Sequence, residues 1–317
     1  MNIDLPGLED IEAAAERIAG VASRTPLIES PALSRLTGHE VYLKLECFQP
    51  IKVFKIRGAY NKISLLRQSS VVAASSGNHG IAVAYSSRLL SKKCTVVVPE
   101  TAVREKVDTI SEYGAEVVRA GRYSDEREAK AKKIAEATGA AFVHPFDDPD
   151  VIAGQGTCGL EIAHQLSDID AVLVPVGGGG LISGVSTALK AIRPKTRVYG
   201  VEPQGAPKLT EAMKAKKIVT VPAPVSIADG LIPSALGKLT YEACSRNVDG
   251  SFTVPEEDIL RATRAMVREA RIFAEPSGAA PLAPLLSTSS LSIGRRVVLV
   301  VSGGNVSLEL LAGMLTS

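Results

Sequence analysis

AVLVPVGGGGLISGVSTALKAI, residues 171–192, runs from a short β-branched segment through four consecutive glycines into a stretch with helical spacing of its apolar residues. Strand, glycine turn and helix in that order read as part of a parallel sheet with crossover helices. The same alternation extends outward almost from end to end. Further strands are predicted at EVYLKLE from Glu40, VVAAS from Val71, CTVVVP from Cys94, AEVVRA from Ala115, AFVHP from Ala141, RVYGVE from Arg197 and RRVVLVVSG from Arg295. Between them, VREKVDTISEYG from Val103 and SDEREAKAKKIAEATG from Ser124 read as helices that stop at Gly114 and Gly139. No Pro/Gly/Ser-rich linker divides the chain, so a second domain is expected as an insertion. The expected division is a large domain of residues 1–69 plus 146–317 and a small α/β domain of residues 70–145.

Length and composition fit this reading. The 317 residues suggest two structural units at about 150 residues each. With 45% hydrophobic residues but only 4% aromatic ones and no Trp, the core must be built from Ala, Val, Ile and Leu, which suits parallel strands covered by helices. A formal net charge of +2, with the basic residues scattered, argues against nucleic acid or an anionic membrane as partner. The N-terminal segment is acidic and amphipathic, unlike a signal peptide, and no apolar run is long enough to span a membrane. Cys47, Cys94, Cys158 and Cys244 are far apart and form no CxxC pair, which signals neither zinc nor a disulfide framework and suits a reducing, cytoplasmic setting.

Three glycine turns directly follow strands, where open parallel sheets bind ligands: SSGNHG (75–80), GGGG (177–180) and SGGN (302–305). Glycines let backbone N–H groups close around an anion, and the helix after GGGG adds the positive end of its dipole. The nucleotide pattern GxxxxGK[ST] is absent, and GGGG matches a dinucleotide fingerprint only loosely, which leaves a monophosphate. Taken alone, such a turn is equally a tight connection. Lys55 gives it company. It stands at the apparent start of a helix, between Phe54 and Arg57, where partial desolvation beside another cation would turn its amine into a nucleophile able to form a Schiff base. Arg57 reads either as a loop anchor or as a solvated helix residue.

These motifs resemble, together and in order, those of the fold-type II pyridoxal-phosphate enzymes of the serine/threonine dehydratase and serine racemase group. The matching segments are FKIRGA at Phe54, SSGNHG at Ser75, VIAGQGTCGLEI at Val151, PVGGGGLISG at Pro175, ADGL at Ala228, EPSGA at Glu275 and SGGN at Ser302. The resemblance implies a tryptophan synthase β-like fold, with two three-layer α/β domains and mainly parallel sheets, and a homodimer. It further implies pyridoxal 5'-phosphate held by Lys55 as a Schiff base, with Phe54 among the cofactor-binding residues. Gly177, Gly178, Gly179, Gly180 and the backbone of Leu181 would bind the phosphate, Asn78 the phenolic oxygen, and Ser302 would face the pyridine nitrogen. Ser75, Ser76, Gly77, Asn78 and His79 would grip the substrate carboxylate.

A neutral hydroxyl opposite the pyridine nitrogen makes the cofactor a weaker electron sink, which suits β-elimination, where loss of the β-hydroxyl relieves the carbanion quickly. The expected activity is deamination of L-threonine or L-serine to a 2-oxo acid and ammonia, with Lys55 as base for the Cα proton. Ser76 is the second catalytic candidate. In racemase relatives the matching serine returns a proton from the opposite face, so serine racemisation stands as the alternative; otherwise Ser76 only completes the carboxylate cradle. Dehydration of another β-hydroxy amino acid such as hydroxyaspartate, and a cofactor binder without turnover, are further alternatives. His39, His144 and His164 show no metal-ligand spacing, and His79 is read as orienting its loop.

The chain departs from the family in two places. Many relatives read Thr-Gly-Ser-Phe-Lys up to the lysine, whereas Ile51, Lys52, Val53, Phe54 and Lys55 stand here. Many also bind a divalent cation near GVEP; Glu202 and the Ala206 carbonyl match, but Lys208 replaces the expected carboxylate. No metal is expected, with Lys208 pairing Glu202. The chain ends soon after SGGN, so an isoleucine-sensing regulatory domain is not expected.

Overall fold

The computed structural model describes residues 4–75, 77–102, 104–121, 124–287 and 291–316. Ten strands occur among them: β1 (Leu27–Glu29), β2 (Glu40–Leu45), β3 (Ser70–Ala74), β4 (Lys93–Val98), β5 (Glu116–Arg119), β6 (Ala141–Phe142), β7 (Ala171–Pro175), β8 (Arg197–Pro203), β9 (Gly250–Val254) and β10 (Arg296–Val301). They form a six-stranded sheet in the order β1-β2-β10-β7-β8-β9 and a four-stranded sheet in the order β5-β4-β3-β6. Every pairing is parallel except β1 with β2.

Each sheet is the middle of three layers, as strand alternation shows. Along β7 and β10, Leu173, Val297, Leu299 and Val301 face one core with Leu43, Val201 and Met266. Their neighbours Val172, Val174, Val298 and Val300 face the other, against Ile182, Val185 and Leu189 of the helix Gly180–Ile192. The small sheet repeats this plan. Val71, Ala73, Val96 and Val98 pack on Ile56, Ala59 and Ile63, while Val72 and Val97 pack on Ala131. At about 1.5–3 kcal/mol for each fully buried aliphatic side chain, these two-sided sheets supply the main stabilising term of the fold.

β1 and β9 have no counterpart in the sequence expectation. β1 is three residues long, and β9 opens with Gly250 and Ser251, which mask its strand pattern. β6 is shorter than AFVHP suggests: pairing stops at Phe142, and His144 and Pro145 lie beyond the strand. The two helix stops stand as expected, Gly114 at φ 84° and Gly139 at φ 71°.

The helix Pro149–Gln165 wedges between the helices Lys55–Leu65 and Gly180–Ile192. A Cβ at Gly154 would lie 2.6 Å from the Gly58 Cα, so the glycines of VIAGQGTCGLEI serve close helix contact. The strands β3, β7 and β10 all end beside one cleft, where their glycine turns meet.

Candidate active site

The cleft between the sheets encloses about 600 Å³ and is lined by residues from all three turns, Ser75, Gly77 and Asn78, Gly177–Gly180, and Ser302. Phe54, Lys55, His79 and Leu181 also line it. The structure therefore brings together every candidate site residue except Ser76, which lies outside the described residues.

Lys55 is the first residue of its helix. The preceding segment is stitched to the end of β10: Val53 bridges Gly303, Phe54 N–H donates to Ser302 O at 3.0 Å, and Gly304 N–H donates to Lys52 O at 2.9 Å. Lys52 turns the chain in the left-handed region at φ 58°. The Lys55 Nζ donates to Pro145 O at 2.8 Å and lies 5.1 Å from the centre of the Phe54 ring. Burial of the ammonium lowers the lysine pKa from 10.5 to about 8. Arg57 has no part in this, which corrects the expectation of a neighbouring cation. Nor is it solvated: its side chain is fully buried, with Nε 2.7 Å from Glu46 Oε2 and Nη1 2.7 Å from Glu161 Oε1. Lys44 and Thr25 complete that network. It anchors the Lys55 helix from behind, and loss of one partner from such a buried pair costs about 3–5 kcal/mol.

The glycine loop is built by close approach. Gly179 adopts φ 92°, and a Cβ at Gly178 would lie 2.2 Å from Phe146 Cδ1. A Cβ at Gly177 would meet Gly230 O of the ADGL segment at 2.6 Å, and Gly230 N–H donates to Ser277 Oγ of EPSGA at 3.0 Å. The 13-residue helix that starts at Gly180 presents its unpaired N–H groups to the cleft here.

Asn78 is fixed from both sides. Its Nδ2 donates to Glu275 Oε1 at 2.8 Å, and its Oδ1 accepts from Asn305 Nδ2 at 2.8 Å, leaving one amide hydrogen for a ligand. Glu275 is held up at about 8 by burial and by the Asp229 carboxylate, so it is protonated at neutral pH. His79 Nε2 donates to Val143 O at 2.9 Å, and burial, with the Lys55 charge nearby, pushes its pKa down to about 3. It therefore stays neutral. Sequence reasoning quoted EPSGA and SGGN but assigned no role to Glu275 or Asn305; their proximity to Asn78 spans 197 and 227 residues of chain.

A buried amine at one end of a cleft and a glycine nest at a helix N-terminus at the other fit a phosphorylated aldehyde. Residues 18–303 match the family described as pyridoxal-phosphate dependent enzymes. The chain belongs to that family. Within it, the chain is 42% identical to an L-threonine ammonia-lyase of Thermotoga maritima, over 96% of this chain and 77% of that one. It is 39% identical to a beta-hydroxyaspartate dehydratase of Paracoccus denitrificans, over 96% and 98%. The structure of maize serine racemase superposes with a TM-score of 0.94 at 37% identity, covering 99% of this chain and 98% of the other. As a pyridoxal-phosphate dependent enzyme, the protein uses that cofactor.

Proposed function

We propose that this enzyme deaminates L-threonine or L-serine to the 2-oxo acid and ammonia by β-elimination. The observation that carries the reading is the placement of Lys55 and the Gly177–Gly180 nest in one cleft, in a chain similar throughout its length to ammonia-lyases. In this reading Lys55 links the cofactor covalently, with Phe54 beside it. The N–H groups of Gly177–Gly180 and Leu181 would bind its phosphate, the free Asn78 amide hydrogen would meet its phenolic oxygen, and the Ser302 hydroxyl would face its ring nitrogen. Bound there, the cofactor supplies an electron sink that acidifies the Cα–H of the amino acid. Ser75, Gly77 and Asn78 lie at the start of the helix Asn78–Leu89, whose unpaired N–H groups suit a carboxylate. Freed when the amino group of the substrate takes its place, the Lys55 amine, whose burial keeps it neutral above about pH 8, would take the Cα proton.

A panel of β-hydroxy amino acids assayed for 2-oxo acid tests the proposal. Threonine or serine should be the best substrate; turnover confined to 3-hydroxyaspartate would replace the assignment, and cofactor absorbance without any oxo acid would reject it. Serine racemisation is the second reading, favoured by the likeness to maize serine racemase. Chiral analysis decides it: D-serine formed faster than pyruvate makes the protein a racemase first.

Catalysis should need no divalent cation. The fully buried Lys208 ammonium lies 3.3 Å from Glu202 Oε1 and donates to the carbonyls of Ala206 at 2.9 Å and Leu231 at 2.8 Å. An ammonium thus sits among oxygen donors that a cation would otherwise need. Chelation should leave activity within about twofold of the untreated enzyme, on the scale where each 1.36 kcal/mol is tenfold; loss restored by Mg²⁺ rejects this.

A reducing, cytoplasmic setting is supported by four buried free thiols, and among the described residues no helix is long and apolar enough to cross a membrane. For a homodimer the support is the pair Phe48 and Phe273, 54% and 61% exposed, on segments that flank Gly304. Residues 70–145 are taken as the small domain, since all four strands of the smaller sheet fall within them.

A further inference from the structure

Between β6 and the Pro149 helix lies a four-residue turn, His144 to Asp147, that touches the cleft from several directions at once. Pro145 O accepts the Lys55 Nζ at 2.8 Å. The Phe146 ring lies flat enough against Gly178 that no side chain fits there. Asp147 reaches the helix Lys238–Asn247: its Oδ2 accepts from Lys238 N–H at 3.0 Å, and its Oδ1 from Leu239 N–H at 2.8 Å and Thr240 N–H at 3.3 Å. Those are the first three N–H groups of that helix, and its cap residue, Gly237, has no side chain to satisfy them. A Cβ on Gly237 would fall 2.1 Å from Asp147 Cγ, so glycine there makes room for the carboxylate. The next link runs back to the nest: Thr240 Oγ1 donates to Gly178 O at 2.8 Å. Within the turn, His144 Nδ1 accepts from the N–H groups of Phe146 at 3.3 Å and Asp147 at 2.8 Å.

We infer that Asp147 is a positioning residue: through Thr240 it fixes the glycine nest, and through the turn it shares with Pro145 it sets the span from the nest to the Lys55 amine. The inference rests on the nest being the phosphate seat. A ligand of fixed length held at both ends must match that span, so slack in the Asp147 tether appears as lost cofactor affinity, although Asp147 itself lines no part of the cleft.

The test measures the cofactor dissociation constant of the full-length protein by absorbance titration, alongside thermal melting of the cofactor-free form. Asp147→Ala and Thr240→Val should each weaken cofactor binding about tenfold. Asp147→Asn keeps an oxygen for Leu239 and Thr240 but turns a donor toward Lys238, and should lose about threefold. Because the two residues act in series, the double variant Asp147→Ala/Thr240→Val should lose no more than about tenfold. Excess cofactor should restore kcat. An unchanged dissociation constant with only a lowered melting temperature makes Asp147 a helix cap and nothing more. Independent, multiplying losses of about a hundredfold in the double variant overturn the series linkage as well. Should Asp147→Ala fail to fold, Asp147→Asn and Thr240→Val carry the same test. Wild-type protein that binds pyridoxal as tightly as pyridoxal phosphate overturns the phosphate seat itself, a failure separate from the others.

Discussion

Lys55→Ala should purify without the visible absorbance of covalently held cofactor and should form 2-oxo acid at a rate lower by at least about 10⁴-fold. Loss of a general base alone accounts for about 10²–10⁴-fold, and loss of the covalent link adds to it. The physical basis is the depressed pKa. At pH 8 about half of the Lys55 amine is neutral, against roughly 0.3% for a lysine titrating at its ordinary value near 10.5. Reaction of the cofactor-free protein with the aldehyde should therefore quicken as pH rises toward 8 and then level off. The same shift carries a stability cost of known sign. Below pH 8 the folded and unfolded states both carry the proton, but the folded one holds it in a poorly hydrated place. Between about 8 and 10.5 the unfolded state binds more protons, so this penalty is relieved as pH rises. Borohydride fixation and peptide mapping of the wild type should place the modified lysine at position 55. A borohydride-reducible adduct retained by Lys55→Ala would move the link elsewhere. Lys106 also lines the cleft, but its Nζ is bound to Asp229 Oδ2 at 2.6 Å.

Much of this site is legible in the chain because its parts are local. A strand, a glycine turn and a helix declare themselves within about twenty residues, and three such turns at strand ends converge wherever parallel sheets are open. Lys55 is legible as the first residue of a helix. What the chain conceals is the partnership between turns. Glu275 stands in the motif EPSGA without a role until the fold sets it against Asn78, and burial then changes its charge state. Arg57 shows the reverse error. Its proximity in sequence suggested an influence on Lys55, but residues i and i+2 leave a helix on different faces, and the guanidinium points to Glu46 and Glu161. β9 was hidden for a simpler reason, since Gly250 and Ser251 weaken a pattern that pairing with β8 restores.

Gly178→Ala should be the most damaging single-methyl change in the nest. The added carbon would sit 2.2 Å from Phe146 Cδ1 and 2.3 Å from Cε1 and Cγ, far inside contact distance. The ring has little freedom to yield: His144 packs edge-on against it at 4.7 Å between centroids, and its backbone N–H is bound to His144 Nδ1. Overpacking of this kind costs about 1–3 kcal/mol, and here the strain falls on the backbone that must close around phosphate. Cofactor affinity should drop about 10- to 100-fold. Lys55 remains in place, so saturating cofactor should still produce the covalent absorbance, which separates this defect from that of Lys55→Ala. Gly313→Ala is the control, because a Cβ there meets nothing within 4 Å. If Gly178→Ala binds pyridoxal phosphate as tightly as the wild type does, the anion sits outside the nest, and the helix dipole at Gly180 plays no part in holding it.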